Sequence, residues 1–274
     1  MDIFGTLLKE TPSFRGKSRL QRLWQRKIYN PKRLAHLPCG MSVETDLAIP
    51  YERQVWLKAE EWDDLIFLRQ LLSAGEQFVD VGANIGLWTL TAAEKVGENG
   101  RIFSFEPNPA TFTKLQKNVE RNKIQERVLL YQCAVSSKSG SEAFFCASEH
   151  NVSQLAEHER ADAITVRIVD LDSLLEGAPC LNRIAGIKID VEGHEFEFLK
   201  GAERTIRKHN PWIIVEFNTT SLQSKAISDW SVYNHFLAHG YRAWTYDKTQ
   251  IYSLSPAFAL DGYTNILFRK SDND

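Results

Sequence analysis

Short apolar segments alternate with longer amphipathic segments from about residue 78 onward. The predicted strands cover residues 78–81, 101–105, 128–133, 184–189 and 212–217. The predicted helices cover residues 87–96, 110–122, 194–208 and 229–238. Regular alternation of strands and helices predicts a parallel sheet with helices on both faces, and therefore an α/β fold.

Two stretches depart from this alternation. Residues 143–146 and 164–169 are strand-like and enclose a looser segment, 147–162, so we predict an inserted hairpin there. The last two predicted strands, near residues 241–246 and 264–268, have no long helical connection between them. Because antiparallel strands can be joined without a crossover helix, these two are expected to close the sheet as an antiparallel pair.

Residues 1–75 follow neither pattern, and we predict that they form a basic arm and a cap over the ligand side of the sheet. A basic helix is predicted over 15–28, a strand over 41–49 and a helix over 56–72. The predicted division is therefore 1–75 for the arm and cap, and 76–274 for the ligand-binding domain.

Charge is distributed unevenly along the 274 residues. Residues 1–40 carry nine Lys/Arg and two acids, a net charge of +7, whereas the remainder carries −9. A basic arm indicates an anionic partner, such as a membrane surface, a phosphorylated glycolipid or another subunit, although a solvated basic helix explains it equally well. No apolar stretch is long enough to span a membrane, no secretory signal follows the N-terminus, and the four cysteines include no C-x-x-C pair. These features predict a cytoplasmic protein, with peripheral membrane contact through the arm as a further expectation.

The turn after the first predicted strand carries the most specific chemistry. Its pattern is Asp80-x-Gly82-x-x-x-Gly86, whereas dinucleotide-binding folds use Gly-x-Gly-x-x-Gly. A carboxylate at the strand end would repel a pyrophosphate but would attract an ammonium or sulfonium group. The turn therefore predicts an S-adenosylmethionine site, with Gly82 admitting the ligand to the backbone and Gly86 bringing the next helix close to the sheet.

The ends of the next two strands extend this site. The second strand ends at Glu106-Pro107-Asn108, where a carboxylate can accept hydrogen bonds from both ribose hydroxyls. The third ends near Ala134, whose backbone is predicted to line an adenine pocket.

Acidic residues and a histidine follow the fourth and fifth strands. Asp190, Glu192 and His194 lie within five residues, and Glu216 ends the fifth strand. Asp190 is predicted to hold the methionine ammonium or an acceptor hydroxyl. His194 is predicted to touch the substrate, because the unperturbed pKa of histidine as a residue type suits proton abstraction near neutral pH. Asp190 and Glu216 could also share a divalent metal, but two acids do not define a site, so no metal is predicted.

The segments FVDVGANIGLWTL, GRIFSFEPNP, CAVS, LDSLL and IKIDVEGHEFEFLKGA resemble the FkbM-type S-adenosylmethionine-dependent methyltransferases. The resemblance covers roughly residues 61–218 and implies a seven-stranded, Rossmann-like class I methyltransferase fold and O-methylation of sugars, glycans or natural-product hydroxyls. The expected cofactor-binding residues are Asp80, Gly82, Ala83, Asn84, Gly86, Glu106, Pro107, Asn108, Ala134 and Asp190. The expected catalytic residues are Asp190, Glu192, His194 and Glu216.

The expected function is methylation of a hydroxyl on a sugar, glycan or glycosylated natural product. The alternatives are a non-sugar acceptor, either a small molecule or nucleic acid, and a catalytically silent cofactor-binding subunit. Nucleic acid is disfavoured because the body is acidic and the Asn-Pro-Pro-Tyr motif is absent. A nucleotide-binding reductase is disfavoured by the glycine spacing.

Overall fold

The computed structural model describes residues 31–59, 61–146, 153–155, 163–176, 178, 182–218, 229–247, 250–253 and 263–270. The predicted basic helix at 15–28 and most of the loop at 147–162 lie outside these residues. The expectations for the arm and its anionic partner therefore stay predictions. Within the described ranges, no helix combines the length and apolar character needed to cross a membrane.

Eight helices and fourteen strands are described along the chain. They are β1 (Lys32–His36), β2 (Ser42–Asp46), α1 (Pro50–Trp56), α2 (Trp62–Leu71), β3 (Gln77–Val81), α3 (Leu87–Val96), β4 (Arg101–Phe105), α4 (Pro109–Arg121), β5 (Val128–Tyr131), β6 (Ala134–Val135), β7 (Gly140–Cys146), β8 (Ser153–Leu155), β9 (Ala163–Val169), α5 (Leu171–Glu176), β10 (Ile184–Ile189), α6 (Glu195–Gly201), α7 (Glu203–His209), β11 (Trp212–Asn218), α8 (Asp229–Ala238), β12 (Tyr241–Tyr246), β13 (Ile251–Ser253) and β14 (Tyr263–Lys270).

The central sheet contains eight described strands in the order β13-β12-β14-β11-β10-β3-β4-β5. The five strands from β11 to β5 are parallel, whereas β14 runs antiparallel to both β11 and β12. This arrangement confirms the predicted parallel sheet with an antiparallel closing pair. Short β13 adds an eighth strand at the edge, beyond the seven predicted.

Both faces of the sheet are covered, which explains why its strands are almost entirely apolar. Successive side chains point to opposite faces. On β3, Phe78 packs into the apolar cluster formed with α3 and the cap, whereas Val79 and Val81 pack into the cluster on the other face, which includes Phe198 of α6. Every residue of β3 is buried.

Two helix starts next to the sheet follow from local sequence. The Asn108 side chain caps α4 by accepting from the backbone N–H of Ala110 at 2.9 Å, and Pro109 occupies the first turn. Gly86 precedes α3 with φ 101°, and a Cβ there would lie 2.7 Å from Leu115 and 2.9 Å from Leu90. Gly86 therefore lets α3 begin in close contact with α4, whereas the sequence predicted that it brings the helix close to the sheet.

The inserted hairpin is present but larger than predicted. β7 and β9 pair antiparallel, with Ala143 opposite Thr165. β8 and β6 extend this pair to a four-stranded sheet. The sequence analysis did not predict β8 and β6, because these strands have only three and two residues. The third predicted strand also ends earlier than expected, at Tyr131 rather than 133.

The described part of the cap packs on the same face of the sheet as α3. Its hairpin, β1 and β2, is attached to α4 because Asn118 and Asn122 accept from the backbone N–H groups of Glu44 and Ser42 at 2.8 and 3.0 Å. The strand predicted at 41–49 is β2, but β1 and α1 were missed. The helix predicted at 56–72 begins only at Trp62, and the division of the chain at residue 75 stays a prediction.

Candidate active site

A cavity of about 690 Å³ lies at the carboxyl ends of the parallel strands. It is bounded by the turns after β3, β4, β5 and β10, by residues of β11, β12 and β14, and by the cap helices α1 and α2. This is where open α/β sheets bind ligands. The cap thus forms part of the cavity wall, over the ligand side of the sheet as the sequence predicted.

The turn after β3 brings two strand ends into contact. Gly82 has φ 78°, and a Cβ there would lie 1.9 Å from the backbone oxygen of Asp190. The N–H groups of Gly82 and Ala83 both donate to the carbonyl of Phe105, at 3.0 and 2.9 Å. Only glycine can occupy this position, because the chain after β10 passes directly against it.

Glu106 is held by backbone groups. Its Oε2 accepts the N–H of Asn84 at 2.9 Å and its Oε1 accepts the N–H of Asn108 at 2.8 Å. The side chain is buried yet lines the cavity, and each oxygen retains a lone pair for a ligand hydroxyl. Burial raises the pKa of Glu106 to about 7, although the two N–H groups act in the opposite direction.

Asp80 lies behind the cavity wall rather than in it. Its side chain is fully buried, its Oδ2 accepts the Thr89 hydroxyl at 2.6 Å, and its Oδ1 lies 4.0 Å from the Lys188 Nζ. This position differs from the expected one in the cavity lining, because β3 directs the carboxylate toward α3 and β10. Burial raises the pKa of Asp80.

Lys188 is a buried cation that the sequence analysis did not assign. Its Nζ donates to the Gly82 carbonyl and to Asp190 Oδ2, both at 2.9 Å. Burial alone would lower the pKa of Lys188, but the carboxylates of Asp190 and Asp80 raise it above its usual value. A lysine in the otherwise apolar strand β10 was the available signal, since a buried lysine needs such partners.

The four predicted catalytic residues all line the cavity. Glu192 adopts φ 50°, an uncommon conformation for a residue other than glycine, and the Nδ1 of His194 is buried. Glu216 lies within β11, two residues before its end, opposite Asn265 of β14. Burial raises the pKa of Glu216 well above its usual value, and the nearby Asp190 carboxylate adds to this shift.

Glu61 of the cap was missed by the sequence analysis. Its Oε1 accepts the Tyr51 hydroxyl and its Oε2 accepts the indole N–H of Trp88 at 2.6 Å. Burial raises the pKa of Glu61 to about 7, against the lowering effects of Lys188 and the Tyr51 hydroxyl.

Asp64 was missed as well. Its Oδ1 accepts the Tyr246 hydroxyl at 2.8 Å and the Asn265 amide at 3.0 Å, which ties α2 to β12 and β14. Tyr246 also stacks on Phe67 of α2, with ring centroids 4.0 Å apart. No local motif marks either Glu61 or Asp64, since their partners come from distant parts of the chain.

The strand order separates the lining into two sides. The Glu106 side, beyond β3, β4 and β5, comprises Gly82, Asn84, Glu106, Asn108 and Ala134. The Glu61 side, from the cap and the ends of β10 and β11, comprises Glu61, Asp64, Asp190, Glu192 and Glu216.

Most of the predicted cofactor-binding residues reach the cavity. The ones that line it are Gly82, Ala83, Asn84, Glu106, Pro107, Asn108, Ala134 and Asp190. Asp80 and Gly86 do not line it, and ligand contact by any of these residues stays a prediction. Within the described ranges, no three His, Cys, Asp or Glu side chains are grouped to hold a metal ion.

Comparisons with known proteins give a consistent result. A model of the methyltransferase FkbM domain family matches residues 80–243, more than half of the chain. Hexuronic acid methyltransferase AglP of Haloferax volcanii is 30% identical over 173 residues, covering 60% of this chain and 66% of that protein. Methyltransferase 1 of Beauveria bassiana is 30% identical over 145 residues, covering 46% of this chain and 57% of that protein. The matches thus span between half and two thirds of the length of these relatives.

Solved structures were compared as well. Methyltransferase FkbM from Methylobacillus flagellatus KT superimposes with a TM-score of 0.49 at 17% identity, covering 79% of this chain and 52% of that chain. An O-methyltransferase from Bacillus cereus, solved in complex with SAH, gives a TM-score of 0.45 at 15% identity, covering 75% of this chain and 79% of that chain.

Proposed function

The chain belongs to the FkbM family of methyltransferases, and on this premise we propose that it methylates a hydroxyl of a sugar, a glycan or a glycosylated natural product, using S-adenosylmethionine. Membership confirms the predicted family and enzyme class. The observation that carries the proposal is that one cavity joins Glu106, whose two oxygens are free to accept from ribose hydroxyls, to a side rich in carboxyl groups.

The Glu106 side fits an adenosine-bearing cofactor. The Glu106 carboxylate is fixed by two backbone N–H groups and can accept hydrogen bonds from both ribose hydroxyls. Gly82 lines the cavity, although its missing side chain makes room for the Asp190 backbone rather than for the ligand that the sequence predicted there. Ala134 lines the cavity beyond β5, where the adenine would lie. A volume of about 690 Å³ is in the usual range for small-molecule sites.

When bound, S-adenosylmethionine would supply a methyl group on a positively charged sulfur. An acceptor oxygen would bond to the methyl carbon as the carbon–sulfur bond breaks, and S-adenosylhomocysteine would leave. Asp190, anchored to Lys188 at 2.9 Å, orients the acceptor hydroxyl or the methionine ammonium. The Nε2 of His194 takes the hydroxyl proton, since its Nδ1 is buried. The cap helices α1 and α2 form part of the cavity wall on this side.

A hydroxylated acceptor suits the Glu61 side. An ionised carboxylate accepts hydrogen bonds from hydroxyls, and a protonated carboxyl, which the raised pKa of Glu216 favours, also donates one. The relative from Haloferax volcanii is named as a hexuronic acid methyltransferase, which supports a sugar-derived acceptor at 30% identity.

A methyl-transfer assay tests the proposal. The purified protein would be incubated with methyl-labelled S-adenosylmethionine and a panel containing neutral methyl glycosides, a hexuronic acid, an aliphatic alcohol and an RNA oligonucleotide. We expect labelled methyl ethers on the sugars. Label on the alcohol or the RNA alone would refute a sugar acceptor, and cofactor binding without transfer to any compound would favour a silent subunit.

His194→Ala should lower the transfer rate about 10²–10⁴-fold, the usual contribution of a positioned base. His239→Ala is the matched control, because this exposed histidine at the end of α8 does not line the cavity. A similar small effect of both substitutions would exclude His194 as the base.

A further inference from the structure

Glu61 is held in place by three separate elements, although it lies outside the residues matched by the family model. It directly precedes α2 and adopts φ 56°, an uncommon backbone conformation for a residue other than glycine. Tyr51 of α1 and Trp88 of α3 donate to its two oxygens. A carboxylate fixed in this way at a cavity wall is oriented for a ligand rather than for solvent.

The buried cation Lys188 has two carboxylates beside it, whereas the hydrogen-bond donors to Glu61 carry no charge. Lys188 lies 2.9 Å from Asp190 and 4.0 Å from Asp80, so its charge is already offset by two carboxylates. The two donors to Glu61, in contrast, are neutral side chains. The titratable groups that face Glu61 are Tyr51, Asp64, Lys188, Asp190, Glu216 and Tyr246.

Among these groups, Glu61 changes its charge near neutral pH. Burial raises the pKa of Glu61 to about 7, and burial together with the nearby Asp190 carboxylate also raises the pKa of Glu216 well above its usual value. The pKa of Lys188 is raised, so Lys188 stays cationic throughout. The negative charge of this side therefore increases as the pH rises through 7.

We propose that Glu61 distinguishes positively charged S-adenosylmethionine from its neutral product, S-adenosylhomocysteine, so that the cavity binds the cofactor more tightly than the product. This inference rests on the proposed function, because it takes S-adenosylmethionine as the ligand. The two molecules share the adenosine and the amino-acid group, so contacts with Glu106 and Asp190 are common to both. Only the methyl group and the sulfur charge differ, and a partly buried carboxylate attracts such a charge more strongly than water does.

Two consequences follow for turnover. Methyl transfer removes the positive charge of the sulfur and with it the electrostatic attraction to Glu61. The product should therefore dissociate more readily and inhibit the enzyme less. Glu61 is also kept ionised by the positive sulfur, which lowers its pKa. Binding of the cofactor near pH 7 should therefore release protons, whereas binding of the product should release fewer.

Calorimetric titration of the full chain with each of the two ligands tests the proposal. We expect the cofactor to bind about tenfold more tightly than the product at pH 8.5, a difference of ~1.4 kcal/mol. The ratio should fall toward one at pH 5.5. At pH 7, titration in two buffers of different ionisation enthalpy should show greater proton release with the cofactor.

Glu61→Gln should abolish both the preference and the additional proton release. Glu195→Gln is the matched control, because Glu195 is buried and has a pKa raised to about 7 by burial, yet does not line the cavity. It should retain the preference. Tyr51→Phe removes a hydrogen bond that favours ionised Glu61, so it should move the midpoint of the pH dependence upward.

The outcomes separate the inference from the proposed function. Equal binding of the two ligands at pH 8.5, or a preference retained in Glu61→Gln, would overturn the inference. An equal loss for both ligands in Glu61→Gln would overturn it as well, since that indicates a structural role only. If Glu61→Gln does not fold, an unmoved midpoint in Tyr51→Phe decides against it. Failure of the folded wild-type protein to bind either ligand would refute the proposed function instead.

Discussion

The two sides of the cavity are held by different kinds of contact. On the Glu106 side, the carboxylate is fixed by backbone N–H groups two and 22 residues away, within consecutive βα units. On the Glu61 side, Glu61 and Asp64 are fixed by side chains, and the partners of Asp64 lie 182 and 201 residues away in the chain. The first side is thus a property of the strand–turn–helix unit, and the second a property of the assembled molecule.

This difference matters for function. Backbone donors cannot be changed by substitution, so the Glu106 side suits a ligand common to a whole family. Side-chain partners can change one at a time, so the Glu61 side suits the reacting end of the cavity, where the sulfonium of the cofactor meets an acceptor that differs between enzymes. The comparison makes definite predictions for substitutions on each side.

The largest effect is expected from Gly82→Ala on the Glu106 side. The new Cβ would lie 1.9 Å from the Asp190 backbone oxygen, in a backbone conformation that L residues disfavour. The turn must move, so we expect at least tenfold weaker binding of S-adenosylmethionine and a loss of stability of about 1–3 kcal/mol or more. Calorimetry and thermal unfolding would measure the two effects.

Gly75→Ala is the control for this substitution. Gly75 has φ 82°, close to that of Gly82, but a Cβ there meets nothing within 4 Å. It shares the backbone strain without the clash, so ligand binding should be unchanged. Equal losses of ligand binding in the two variants would show that the contact with Asp190 has no part in shaping this side.

The next effect is expected from Glu106→Gln, which should weaken ligand binding without the loss of stability expected for Gly82→Ala, and which separates the two sides by ligand. The amide oxygen can replace only one acceptor, and the NH₂ group faces a backbone N–H. Loss of hydrogen bonds to a charged group costs about 1.5–3 kcal/mol. Because ribose is common to both ligands, we expect S-adenosylmethionine and S-adenosylhomocysteine to lose affinity equally in calorimetric titrations. A loss confined to the charged ligand would place the sulfur beside Glu106 and contradict the assignment of the two sides.

Sequence alone predicted the Glu106 side well because its determinants are local. A strand, a glycine turn and a capped helix each have a short-range pattern, and the carboxyl ends of parallel strands meet at one edge of the sheet. Gly82, Asn84, Glu106 and Asn108 all line the cavity for this reason. Asp80 was assigned to the cavity because it ends the apolar run, but the alternation of side chains along β3 directs it to the interior.

The Glu61 side was predicted only where it follows a strand. Asp190, Glu192, His194 and Glu216 come after β10 or near the end of β11, whereas Glu61 and Asp64 lie in a segment interpreted as one continuous helix. Their importance depends on tertiary contacts, with Trp88 for the first and with Tyr246 and Asn265 for the second. Such contacts leave no periodic signal in a single sequence, and neither does the break at Glu61 that separates α1 from α2.

The smallest effect is expected from Tyr246→Phe, which tests whether long-range side-chain bonds support the Glu61 side. The substitution removes the hydroxyl that donates to Asp64 at 2.8 Å but keeps the ring stacked on Phe67. One such bond contributes about 1 kcal/mol, which corresponds to a fall of roughly 2–4 °C in Tm for a chain of this size. Tyr131→Phe is the matched control, since Tyr131 stacks on Phe105 at 4.9 Å and its hydroxyl makes no hydrogen bond to a described residue. Its Tm should stay within about 1 °C of the wild type. Thermal unfolding of both variants would decide the point: if they unfold together, the bond to Asp64 does not stabilise the Glu61 side.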